Sequence, residues 1–244
     1  MVSVVDMIRS MKNQQPVQEI RPSSGAIPRY RCLLICTVLV LGFGASLILD
    51  RAVYQHFCTS RYVFQDWYRL LRVSGFLPLW LFVAVAWMLI DGEAAKTVGL
   101  LRACSRGVLL SASVLGCGLL AEILKLLIRR ERPSLHDGYH YFSPWQSGLW
   151  DNSMFGLPSS HSSVAFAATW ALCYLYPRAW PMWLMLGLGC AVTRLLERAH
   201  FLSDVYMAAV MSWIVVWLLW RLLDRYLPSG GGCHDANVRQ TMLK

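Results

Sequence analysis

The sequence predicts an all-α, polytopic membrane protein with six transmembrane helices in a bundle. Two observations lead there. Hydrophobic residues make up 56% of the 244 positions and charged residues only 15%, where a soluble domain carries about 25% charge. The apolar residues also gather into six runs with polar residues between them. Backbone groups cannot go unpaired in lipid, so such runs are helical.

The first run, 32–49, follows a polar segment 1–30 that holds Arg9, Lys12, Arg21 and Arg29. It begins far from the first residue for a secretory signal, and no small-residue cleavage site clearly follows it. We read it as a retained anchor. Residues 66–72, with Trp67 and Tyr68, form a candidate interfacial helix. The runs 73–90 and 107–127 reach the roughly 20 residues that a crossing helix needs. The runs near 160–176, 179–193 and 205–220 need flanking residues to do so. The expected organisation is therefore a flexible cytoplasmic segment 1–30, a six-helix membrane domain 31–227, and a flexible cytoplasmic tail 228–244 containing Ser229-Gly230-Gly231-Gly232. No internal repeat stands out.

The net charge is +9. The basic residues sit beside and between apolar runs, which suits topology and anionic lipid better than nucleic acid, for which there is no signature. Six spans put both termini on one side with 13 basic residues, against ten on the other. Three of those ten (Lys125, Arg132 and Arg194) have a functional reading, given below. The positive-inside rule then predicts cytoplasmic termini, with the first, third and fifth loops facing outward. Of the eight cysteines, Cys36, Cys117, Cys173 and Cys190 lie inside runs and Cys32 at the edge of one. None shows CxxC or zinc spacing, so they read as small apolar residues and say little about redox compartment.

Three groups of residues do not suit an inert span. Lys125 and Arg132 stand seven apart and share a face if the helix continues between them. Alone, they could be a snorkelling basic cluster. Ser159 can cap the helix that follows, whose N-terminus favours anions. A cap alone leaves His161 unexplained. Arg194 ends the fifth run, and His200 and Asp204 open the sixth, four apart and within contact range on a helix. The carboxylate can fix which ring nitrogen is free, or the pair can simply stabilise a helix start. By the six-span count all three groups meet at the outer membrane surface. Three cations, a helix N-terminus, two histidines and a carboxylate together describe a phosphate site with its own nucleophile.

These residues resemble the type-2 phosphatidic acid phosphatase family, relatives of bacterial acid phosphatases and vanadium haloperoxidases. The family pattern has three blocks: Lys-x6-Arg-Pro, Pro-Ser-Gly-His and Ser-Arg-x5-His-x3-Asp. Here they stand as KLLIRRERP from Lys125 to Pro133, PSSH from Pro158 to His161, and TRLLERAHFLSD from Thr193 to Asp204. Order and spacing match. Ser160 replaces a glycine and Thr193 a serine. A Cβ at 160 could restrict φ or crowd the phosphate.

The resemblance implies that Lys125, Arg132 and Arg194 hold the phosphate oxygens, helped by Ser159 and the backbone near Ser160. His200 is the nucleophile that becomes phosphohistidine, Asp204 orients it, and His161 is the general acid and base. It implies a metal-independent lipid-phosphate phosphatase with no cofactor, in keeping with the missing carboxylate cluster for Mg²⁺. Its substrate would be a phospholipid or polyprenyl phosphate or pyrophosphate, with phosphatidate, phosphatidylglycerol phosphate, polyprenyl pyrophosphate and the phosphates of lipid A all open. The expected setting is a bacterial inner membrane with a periplasmic site. A lipid phosphotransferase using the same intermediate is the alternative. A transporter is disfavoured because paired, interrupted half-repeats are missing, and the membrane spans argue against a haloperoxidase. Glu122, three residues before Lys125, reads as a local partner of that lysine rather than a catalytic group. His136, Asp137, Tyr139, His140, Trp145 and Trp150 fill the third loop, either as interfacial aromatics or as a cover that selects the head group.

Overall fold

The computed structural model describes residues 29–57, 60–92, 104–145 and 151–226. Of the expected flexible segment 1–30, residues 1–28 lie outside the described residues, as do 228–244 and Trp150, while Arg29 and Tyr30 already belong to the first helix. Seven α-helices occur among the described residues: α1 (Arg29–His56), α2 (Asp66–Val73), α3 (Leu77–Gly92), α4 (Ser105–Ile128), α5 (Ser160–Leu175), α6 (Trp180–Leu196) and α7 (Leu202–Tyr226). The apolar runs are helical except that 73–90 is broken at 74–76, so Val73 closes α2 and α3 starts only at Leu77; α2 occupies the position expected of the short interfacial helix.

Among the described residues four stretches are long and apolar enough to cross a membrane: Leu33–His56, Ser105–Ile128, Pro177–Leu196 and Leu202–Arg225. The pair α2 and α3, bent by 60°, would make a fifth. The 16 residues of α5 fall short of a full span. Contacts divide the chain at Val38, inside α1. Before that point the described side chains are mostly exposed.

From Leu39 onward the helices form one compact unit. α5 is its centre, packed by α4, α6 and α7. Ala165, Ala167, Ala168 and Ala171 on α5 are at most 1% exposed, because small side chains let neighbouring backbones come close. The core continues through Leu110, Val114 and Cys117 of α4 and Val216 of α7. The outward side chains are also apolar, among them Ile48, Phe82, Leu119 and Met182. So much exposed apolar surface suits lipid and not water. The molecule is a multi-pass membrane protein.

Two helices that lead into the site end abruptly. α4 stops at Arg129 (φ 57°) and the chain after α6 turns at Arg198 (φ 59°), both left-handed residues. The expectation that one helical face carries Lys125 and Arg132 therefore gives way. The helix ends at Ile128, and Arg132 lies in extended backbone (φ −69°, ψ 147°).

Candidate active site

After the turn at Arg129 the chain runs extended, clasped on both sides. Glu131 N–H donates to Tyr141 O (2.9 Å) and Ser143 N–H to Arg129 O (3.0 Å) on one side. On the other, Arg132 N–H donates to Met154 O (2.9 Å) and Gly156 N–H to Arg130 O (2.7 Å). Extended backbone alternates its side chains, so Arg130 and Arg132 project to one side. That side faces Gly156 and Asp204: a Cβ on Gly156 would stand 3.7 Å from Arg132 Cα and 2.9 Å from Asp204 Oδ2.

The start of α5 supplies the second group. Ser159 is the N-cap, its hydroxyl accepting from Ser162 N–H at 3.4 Å. Its own N–H donates to Asp204 O (3.3 Å), which ties this helix start to α7. Ser160 is the first helical residue and its φ is not positive, so no glycine conformation is needed there. Its hydroxyl donates to Glu122 Oε1 and accepts from Lys125 Nζ. Lys125 Nζ also reaches Glu122 Oε1 at 3.2 Å, and Asn152 donates to Glu122 Oε2. Glu122 is thus the local partner of Lys125 that the sequence suggested. His161 follows in the first turn, within electrostatic reach of Arg194, Arg72, His200 and Lys125.

His200 lies between α6 and α7, just outside the helix that carries Asp204. Its Nδ1 is 2.9 Å from the carbonyl oxygen of Gly156 and 3.6 Å from Asp204 Oδ2. A carbonyl only accepts, so Nδ1 carries the proton and Nε2 of the neutral ring holds the lone pair. Burial pushes the ring down from its ordinary value near 6.5 to about 4, against the pull of Asp204; the charges of Arg194 and Lys125 add to the lowering. Asp204 Oδ2 also accepts from Phe201 N–H (2.8 Å), the reach-back half of a capping box.

The cations are deeply set. Lys125 is 6% and Arg194 4% exposed, and Lys125 lies within electrostatic reach of both Arg132 and Arg194. Arg194 donates to Glu197 Oε2. Glu197 also accepts from Tyr68 OH (3.1 Å) and stands 3.6 Å from Arg72 Nη1. The Nε–H groups of Arg132 and Arg194 are buried without a hydrogen-bond partner. Buried donors are rarely left so, and two guanidinium edges without acceptors, beside a lysine and a helix N-terminus, suit an anion with several oxygens. All eight expected residues (Lys125, Arg132, Ser159, Ser160, His161, Arg194, His200 and Asp204) lie in this one cluster.

The family model of the PAP2 superfamily matches residues 106–227, half of the chain and all three blocks. The chain belongs to the PAP2 superfamily. Among curated proteins, a Lipid A 1-phosphatase of Rhizobium etli is 35% identical over 101 residues, covering 41% of this chain and 42% of that protein. A Lipid A 1-phosphatase of Rhizobium johnstonii is 34% identical over 101 residues, covering 41% of this chain and 40% of that protein. The chain thus matches about two fifths of the length of these relatives. No solved structure matches significantly.

Against the PAP2 pattern, Thr193 turns its hydroxyl back to Cys190 O (2.6 Å), so its hydrogen is spent on its own helix. Several neighbours of the site were missed from the sequence. Gly156 holds His200. Glu197 holds Arg194, and its i,i+3 spacing was a visible signal. Arg130 and Asp50 were missed too, although an acidic residue closing the first apolar run is itself a warning of function. In the third loop, His140 Nε2 is 3.0 Å from Asp50 Oδ2, and Tyr139 OH accepts from Arg51 at 2.5 Å. His136 Nε2 is 2.7 Å from Glu131 Oε2, and Trp145 is exposed.

Proposed function

We propose that the chain is a lipid-phosphate phosphatase that cleaves a phosphomonoester or pyrophosphate of a membrane lipid through a phosphohistidine. The observation that carries this reading is the approach of the Gly156 carbonyl oxygen to Nδ1 of His200, from which the tautomer follows. The Gly156 carbonyl at 2.9 Å accepts a hydrogen bond from Nδ1–H, which leaves the lone pair of the neutral ring on Nε2 among buried cations. Nε2 attacks phosphorus, and the lipid oxygen leaves with a proton from His161. His161 then takes a proton from the water that hydrolyses the intermediate. The positive ring formed on the way is held by Gly156 O and by Asp204. Lys125, Arg132 and Arg194, with the N-terminus of α5, stabilise charge on the equatorial oxygens.

These cations supply the charge that a metal would otherwise bring. Among the described residues no three His, Cys, Asp or Glu side chains are placed to hold one. The names of the relatives, both Lipid A 1-phosphatases, support a phosphorylated lipid as substrate. In the proposed arrangement α1, the bent pair α2–α3, α4, α5, α6 and α7 make six crossings, with domain bounds at 31–227. Both termini are cytoplasmic, and the site opens at the periplasmic face of a bacterial inner membrane.

The test is phosphate release by the purified protein in detergent, from a panel of lipid monophosphates and pyrophosphates in excess EDTA. Release is expected with the wild type and none with His200→Ala. Activity that vanishes with the chelator and returns with Mg²⁺ would contradict the metal-free mechanism. Near wild-type turnover by His200→Ala would contradict the nucleophile.

A further inference from the structure

Arg130 stands at one of the unspecified x positions of the first block, Lys-x6-Arg-Pro, yet it is 1% exposed. A buried guanidinium is costly unless it is well paired, and apolar residues commonly fill a merely structural place as well. Its partners converge on one side chain. Nη2 donates to Asp204 Oδ1, and to Ser203 Oγ at 2.8 Å. Nη1 stands 3.7 Å from Asp50 Oδ2. Ser203 closes the ring of contacts: its N–H donates to Asp50 Oδ1 (2.8 Å) and its hydroxyl to Asp50 Oδ2 (2.5 Å).

Asp50 comes from α1, Arg130 from the clasped segment after α4, and Ser203 and Asp204 from the first turn of α7. Asp204 has two carboxylate oxygens and both are committed. Oδ1 is held by Arg130. Oδ2 accepts from Phe201 N–H and faces His200 Nδ1. With Oδ1 fixed, the carboxylate cannot turn Oδ2 away from the ring.

We infer that Arg130, anchored by Asp50 and Ser203, is a positioning residue that holds the Asp204 carboxylate toward His200. This rests on the reading of His200 as the nucleophile. Two buried carboxylates here face one guanidinium, so positive charge arising on His200 meets a complementary field.

The test is a double-mutant cycle on lipid phosphate release. Arg130→Gln is expected to lower kcat about 10- to 100-fold, the range known for partners that orient a reacting group, with KM changed less than about twofold. In an Asp204→Asn background the same change should cost less than about threefold, because the residue acts through Asp204. Arg130→Lys should recover part of the loss. Equal costs in both backgrounds, or a raised KM with kcat intact, overturn the inference. If Arg130→Gln does not fold, as judged by its elution and melting in detergent, Ser203→Ala carries the test. Its kcat should fall about three- to tenfold in the wild-type background and not with Asp204→Asn, and an unchanged kcat overturns the inference. A wild type that releases no phosphate from any lipid overturns the parent reading and this one with it. An active wild type with equal costs overturns this one alone.

Discussion

The carbonyl oxygen of Gly156 lies 2.9 Å from Nδ1 of His200, while the nearer oxygen of Asp204 lies 3.6 Å away. The tautomer of the proposed nucleophile is therefore set by the backbone two residues before Pro158, and the carboxylate acts on a ring already oriented. Gly156 is bonded through its N–H to Arg130, so the clasped basic segment and the nucleophile share one backbone link.

Burial holds His200 near 4. The sign follows directly: a lowered value keeps the ring neutral, and so nucleophilic, at every pH above it. The limb of the kcat/KM profile that reports His200 in the free enzyme should fall only as pH drops through about 4, after correction for the substrate's own phosphate ionisation; the proton that His161 must carry sets the opposite limb, where activity falls as pH rises. An acid-side decline centred near 6.5 would show that the ring titrates as an exposed histidine and would sink the assignment.

Gly156→Ala should damage catalysis without any backbone penalty, since Gly156 has no positive φ. Its new Cβ would stand 2.9 Å from Asp204 Oδ2, and Asp204 is pinned by Arg130 and Phe201. The segment holding His200 must then shift. Displacements of this kind can cost on the order of 100-fold, and we expect at least a tenfold loss of kcat in steady-state assays. Wild-type kcat would mean the carbonyl does not set the ring.

Arg194→Lys keeps the charge but loses the planar edge whose Nε–H has no partner in the protein. The expected loss in kcat/KM is about 100- to 1000-fold, the usual effect of removing one donor to a developing oxyanion. A variant within fivefold of wild type would show that only the charge matters.

Ser160→Gly restores the PAP2 glycine. It removes the hydroxyl between Lys125 and Glu122 but leaves their direct pair at 3.2 Å. The two bonds it removes lie between Ser160 and the Lys125–Glu122 pair rather than on the substrate, so kcat/KM should change by no more than about tenfold. A loss of 100-fold would make Ser160 a direct phosphate ligand.

The helices were legible because lipid imposes one rule on every span: apolar outside and hydrogen-bonded within. The motif residues were legible because their spacing is local. Lys125 and Arg132 show the limit. Their spacing suggested one helical face, yet a left-handed Arg129 breaks the helix and a clasped extended segment delivers Arg132 instead. Arg130, Asp50 and Gly156 were not legible, because each takes its role from a segment far away in the chain. Nothing beside Asp50 announces Ser203, and nothing beside Gly156 announces His200.

Arg129 and Arg198 both take a backbone shape that a glycine adopts freely and an arginine only at a cost of roughly 1 kcal/mol. Both side chains are in use: Arg129 lies over Phe155 (4.8 Å) and Arg198 over Tyr54 (5.1 Å). A glycine would give the turn and lose the grip. Each corner is thus fixed twice, by its backbone turn and by an aromatic ring under its guanidinium, which makes a turn leading into the site also a point of side-chain anchorage.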